Sequence, residues 1–289
     1  MNSKYVIISI IIIIIIIIII ITITGFLGFT EKLDNFQNMY SSETELVEWT
    51  TDTLFLFMVD PNDVIIQNNR QIPLKAYFNL NSKFESEYEE IRPDLDGKKT
   101  VFVVPVFTAS AYAHNGFYEY FQKKCDESCL TTKIVDKNDF TSTASFNTIQ
   151  ILQLLGYETI TDIQIDQNPN ILQKYDKVIL LHSEYVTKSM FDAITNHPKI
   201  IYLFPNALYA EISVDYYRNE ISLIKGHGYP EIGISNGFDW EFENTHPYEF
   251  DTECINWEFY EIKNGVMLNC WPDQIIFNNK LLLKTIKEL

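Results

Sequence analysis

The chain has 289 residues, with 39 acidic against 22 basic side chains and a formal net charge of −17 at pH 7. A protein this acidic is repelled by nucleic acid and by anionic lipid surfaces, so neither is an expected partner.

The first feature along the chain is the apolar run from Tyr5 to Phe29, mostly isoleucine, with no charged residue between Lys4 and Glu31. About 20 such residues at 1.5 Å rise cross a 30 Å hydrocarbon core, and lipid forces the backbone to satisfy itself as a helix. The run is longer than the apolar region of a cleaved signal peptide, and no Ala-x-Ala site follows it. Residues 1–29 are therefore expected to be a cytoplasmic tip and a transmembrane helix. Lys4 on the short side favours the amino terminus inside. The expected location is the cell membrane, single-pass, with the main domain extracytoplasmic.

Residues 30–99 are polar and read as a stalk with strands at Thr53–Val59 and Ile72–Leu80, candidates for an added edge of the main sheet. From residue 100 to 289 the pattern is that of an α/β domain. Thr100–Phe107 is an apolar run too short for a helix, as expected of a strand buried on both faces. A helix near Asn115–Lys124, a strand at Thr132–Val135, a helix at Ser145–Leu155 stopped by Gly156 and a strand at Thr159–Ile165 are expected next. Strand Lys177–Leu181, helix Lys188–Thr195 and strand Lys199–Phe204 continue the alternation. Such alternation predicts a parallel, doubly wound sheet.

Beyond Ile212 the chain turns aromatic and polar-alternating, with turn signals at Gly226-His227-Gly228, Asn236-Gly237 and Asn264-Gly265. An antiparallel aromatic-rich extension is expected there, followed by a terminal helix within Gln274–Leu289. The four cysteines fall into two short-range pairs, Cys125 with Cys129 and Cys254 with Cys270. Disulfides suit this spacing outside the cell better than a zinc site does. No Asn-x-Ser/Thr glycosylation acceptor is present.

In open α/β sheets ligands bind at the carboxyl ends of strands. Three such ends are polar here: Thr108 to Tyr118 after the first strand, His182-Ser183-Glu184-Tyr185-Val186-Thr187 after the strand ending at Leu181, and Pro205-Asn206 after Phe204. Two phenols, an imidazole, a carboxylate and a carboxamide are expected to share one crevice if these strand ends converge, which spacing alone does not establish, and a buried tyrosine with a bonded hydroxyl is also ordinary core. Ser183 lacks the Gly-x-Ser-x-Gly frame of a nucleophile elbow. His227 and His246 are further acid or base candidates from the extension, and His197 is placed to close a helix.

Taken together these segments resemble the carboxy-terminal catalytic domain of the N,N-dimethylformamidase large subunit and its relatives, over roughly Thr100 to Ala210. Thr108, Ala111, Tyr112, Asn115 and Gly116 echo that family's first motif; His182, Glu184, Tyr185 and Thr187 echo its second, and Asn206 its third. The resemblance implies a class I glutamine-amidotransferase-like α/β fold and a mononuclear iron held by two tyrosines and a glutamate. Tyr112 and Glu184 would be ligands, with Tyr77 or Tyr118 as the second phenol. His182 and Asn206 would be catalytic, orienting substrate and water. The implied activity is metal-dependent hydrolysis of the C–N bond of a small-molecule amide. The departures are Ala113 where the family keeps Asn, and a chain too short for the large subunit's extra domains. A non-catalytic extracytoplasmic binding or envelope protein that retains the fold is the alternative.

Overall fold

The computed structural model of the protein describes residues 45–50, 52–67, 70–94, 97–136, 140–240 and 251–289. The apolar run Tyr5–Phe29 and His246 lie outside them. Among the described residues no helix is long and apolar enough to cross a membrane. The fold is mixed α/β, with parallel and antiparallel sheets.

The chain enters through β1 (Val47–Thr50) and β2 (Phe55–Val59), an exposed hairpin of β3 (Val64–Gln67) and β4 (Arg70–Pro73), and β5 (Tyr77–Leu80). β1, β2 and β5 form their own antiparallel sheet rather than an added edge of the main one. Hydrogen bonds and ring contacts tie it to the rest of the domain. Phe78 N–H donates to Gln150 Oε1 and Leu54 N–H to Asn278 Oδ1. Helix α1 (Glu85–Ile91) follows, with Tyr88 and Ile91 buried.

β6 (Thr100–Val104) opens the main sheet. The expected strand to Phe107 stops at Val104 because Pro105 has no N–H for the ladder, and α2 (Val106–Tyr112) begins at once. The short α3 (Phe117–Phe121), β7 (Thr131–Lys133) and α4 (Phe146–Leu155) come next, and Gly156 ends α4 at φ +90°. β8 (Glu158–Thr161) is likewise shorter than expected. Thr161 and Gln164 form a capping box, and this helix start outweighs the β-branched composition, giving α5 (Asp162–Gln167).

Then come β9 (Lys177–Leu180), β10 (Tyr185–Val186), α6 (Lys188–Thr195) as expected, β11 (Ile200–Tyr202), β12 (Ala210–Asp215) and β13 (Glu220–Lys225). β14 (Phe259–Ile262), β15 (Gly265–Leu268) and α7 (Lys280–Glu288) complete the chain. The main sheet has six strands in the order β14-β15-β11-β9-β6-β8, all parallel except the edge strand β14. Val101 to Val104 and Val178 to Leu181 are buried to within rounding, so both faces of the sheet are covered. Each such side chain contributes about 1.5–3 kcal/mol.

The aromatic extension divides. β12 and β13 join β10 and β7 in a second, four-stranded sheet, whereas the β14–β15 hairpin finishes the main one. Gly265 is needed there because β15 runs so close to β11 that a Cβ would lie 1.8 Å from the Ile200 carbonyl oxygen. Asn236-Gly237 makes no hairpin; Gly237 N–H donates to Tyr209 O beside β12. The cysteines pair as two disulfides, Cys125–Cys129 and Cys254–Cys270.

Candidate functional site

β6 and β9 are adjacent and parallel, yet the chain leaves β6 toward β8 and leaves β9 toward β11. Their carboxyl ends thus border a topological switch point, where a crevice opens. From β6 comes α2. Thr108 and Tyr112, one turn apart, share a face of it. The Thr108 hydroxyl oxygen accepts the backbone N–H of Glu184 at 3.0 Å and of Tyr185 at 3.3 Å. Tyr112 donates its phenolic hydroxyl to Glu184 Oε2 at 2.8 Å. One helix face therefore fixes both the backbone and the carboxylate of Glu184.

From β9 comes His182. Its backbone N–H donates to Ser145 Oγ at 3.1 Å, and its ring Nδ1 bonds to the Thr143 carbonyl. A carbonyl only accepts, so Nδ1 carries a proton and Nε2 is the free position. Phe204 stacks on the ring with centroids 5.0 Å apart, and Trp271 approaches to 4.5 Å. Nε2 then lies 3.1 Å from Glu184 Oε2 but without the alignment of a hydrogen bond. Both groups are buried.

The other carboxylate oxygen, Oε1, bonds to Nε2 of His227. In the sequence His227 is an acid or base candidate from the aromatic extension. What brings it here is a tight turn in which Gly226, His227 and Gly228 have φ of 123°, 51° and 79°. The two flanking glycines were the available signal. The imidazole is boxed by Phe121, Tyr209 and Tyr185 at 4.6, 4.5 and 5.4 Å between centroids.

Burial by itself would raise the Glu184 carboxyl, but the electrostatic and hydrogen-bonding contributions of His227 and His182 outweigh it and hold the group at about 2. Burial, and then the charge of Glu184, push the Tyr112 and Tyr185 phenols well above the ordinary range. Behind His182, Asp273 is buried and raised to about 7 by desolvation, against the hydrogen bonds it accepts from Thr148.

The other expected residues are distributed as follows. Tyr118 stacks on Tyr112 with centroids 4.3 Å apart, and Tyr185 meets Tyr112 edge-on. Tyr77, on β5, packs edge-on against Phe146 at 5.9 Å. Asn206 is buried with its Oδ1 unpartnered, in the segment whose next residues bond back to the site: Leu208 N–H donates to Ser183 O, and Tyr209 N–H to Glu184 O. The Ser183 hydroxyl is buried without a base beside it among the described hydrogen bonds. His197 closes α6, accepting Lys199 N–H and bonding to Tyr175 O, away from this cluster.

Among the described residues no group of three or more His, Cys, Asp or Glu side chains converges on a single cation position. A cation at Glu184 Oε2 would instead take a phenol as its neighbour. The 2.8 Å between Oε2 and the Tyr112 oxygen matches the roughly 3 Å separating adjacent ligands whose bonds are about 2.1 Å long. The Tyr185 hydroxyl, buried and unpartnered, is the second phenol at hand. A hard carboxylate and phenol set of this kind suits a hard cation. Comparison with known protein families and with curated proteins finds no match to this chain.

Proposed function

We propose that this protein is a membrane-anchored, iron-dependent hydrolase that cleaves the C–N bond of an amide, on a doubly wound, class I glutamine-amidotransferase-like fold. The observation that carries the reading is the buried carboxylate of Glu184 with Tyr112 on one oxygen and His227 on the other, at the switch point of the sheet.

Tyr112 and Glu184 are the proposed iron ligands. For the second phenol Tyr185 is better supported than Tyr77, because its hydroxyl is buried without a partner and its ring meets that of Tyr112 edge-on at 6.3 Å, while Tyr77 packs on Phe146. A bound ferric ion would polarise the amide carbonyl and acidify water there. His182 Nε2 is the atom that holds the moving proton: Nδ1 is committed to Thr143, and the neighbouring Glu184 oxygen stabilises the imidazolium. Water adds its oxygen to the carbonyl carbon, the C–N bond breaks, and the proton held on His182 leaves with the amine nitrogen. His227 fixes Oε1, which keeps Oε2 turned toward Tyr112. Asn206, with a buried unpartnered oxygen, is proposed to orient the substrate N–H. The two disulfides support an oxidising, extracytoplasmic setting for the domain, and the run Tyr5–Phe29 is proposed as the anchor.

The test is elemental analysis of the full chain, purified in lipid nanodiscs, beside Tyr112→Phe and Glu184→Ala variants checked for folding by circular dichroism. About one iron per chain, lost in both folded variants together with amide hydrolysis, is the expected result. No iron in the wild-type protein overturns the reading and favours a binding protein that retains the fold.

A further inference from the structure

The His227 imidazole that bonds Glu184 also forms part of the wall of a cavity of about 690 Å³. That volume is in the range of pockets for drug-sized ligands, well beyond what a minimal amide needs. Its wall is of two kinds. Phe121 and Tyr209, which box His227, continue into it, and Ile232 stands at it 98 % exposed. An isoleucine and a phenylalanine held open to water gain free energy when an apolar group covers them.

The second kind is basic. Lys123 and Lys124 line the same cavity, and neither has an ion-pair partner among the described residues. In a chain with a net charge of −17, a cavity lining with two lysines against one carboxylate is a local excess of positive charge. The one carboxylate of the lining, Asp126, is turned back to accept the Ser128 N–H at 2.9 Å. The wall that carries these residues is held by the Cys125–Cys129 disulfide.

We infer that the cavity binds an acidic amide: an apolar or aromatic group against Phe121 and Ile232, a carboxylate against Lys123 and Lys124, and the amide directed to His227, the residue of the lining that bonds Glu184. This rests on the proposed amide chemistry of the Glu184 site, and it specifies the substrate class.

Binding separates the two ideas. The full chain in nanodiscs is titrated calorimetrically with N-benzoyl-phenylalanine and with its neutral counterpart, N-benzoyl-phenylalaninamide. The acid is expected to bind at least about tenfold more tightly, as a charge-assisted contact implies. A Lys123→Gln, Lys124→Gln double variant, altered only at exposed positions, is expected to lose that preference and keep its affinity for the neutral probe. Failure of both probes to bind, equal affinity, or a preference that survives the double variant overturns the inference. If the preference holds in a chain that carries no iron and cleaves no amide, the cavity assignment stands and the proposed hydrolase falls. If iron and cleavage of neutral amides are found without the preference, only the cavity assignment falls.

Discussion

Tyr112, the last residue of α2, donates its hydroxyl to Glu184 at 2.8 Å across a sequence separation of 72. This bond sits on the carboxylate oxygen that His182 also faces, so the two halves of the site meet at one atom. Replacing Tyr112 with Phe removes the donor and keeps the ring stacked on Tyr118. The expected cost is about 1–3 kcal/mol, measured by urea unfolding, with loss of iron and of hydrolysis. A variant with wild-type iron content and activity would remove Tyr112 from the site's chemistry.

Glu184 sets an acid limit on stability. Its carboxyl is held at about 2 in the folded protein against an ordinary 4.5, so it contributes stability that is present above 4.5 and lost as pH falls toward 2. Glu184→Gln leaves His227 without its buried partner, and a cost of about 3–5 kcal/mol is expected at neutral pH. The difference from wild type should shrink as pH falls from 4.5 toward 2. Thermal melts of both proteins across that window check this; a difference independent of pH would refute it.

Asp273 works in the opposite sense. It caps α4 from a distance, its Oδ1 accepting both the N–H and the hydroxyl of Thr148 at 2.8 Å, where Ser145 offers no side-chain cap. Because its folded value is raised to about 7 from 3.8, its favourable contribution is complete below 3.8 and is lost as pH rises through 7. Asp273→Asn keeps an oxygen for Thr148 and removes the buried charge, so it should match wild type at pH 4 and exceed it at pH 8. Asp273→Ala should lose about 1–2 kcal/mol at pH 4. Denaturant midpoints at the two pH values distinguish them.

Gly265→Ala tests the join between the hairpin and the main sheet. A Cβ there would stand 1.8 Å from the Ile200 oxygen, so β15 must leave β11. A loss of at least about 3 kcal/mol, or no folded protein, is expected. An alanine variant with unchanged unfolding would contradict the observed strand register.

Local pattern was enough for the elements whose signals lie within one turn or one strand: the apolar strands β6 and β9, helix α6 and the Gly156 stop are all readable in the chain. It failed where two local signals competed. Pro105 and the Thr161–Gln164 capping box each ended a strand that β-branched composition would have extended. The site was legible only as residue types at strand ends. That Tyr112 reaches Glu184 depends on α2 starting directly after Pro105, and that His227 reaches Glu184 depends on a three-residue turn 43 positions away. Such contacts are long-range and set by packing, whereas periodicity and capping are properties of neighbouring residues. The sequence by itself determined an α/β alternation with polar strand ends; tertiary packing decided which of those ends share a carboxylate.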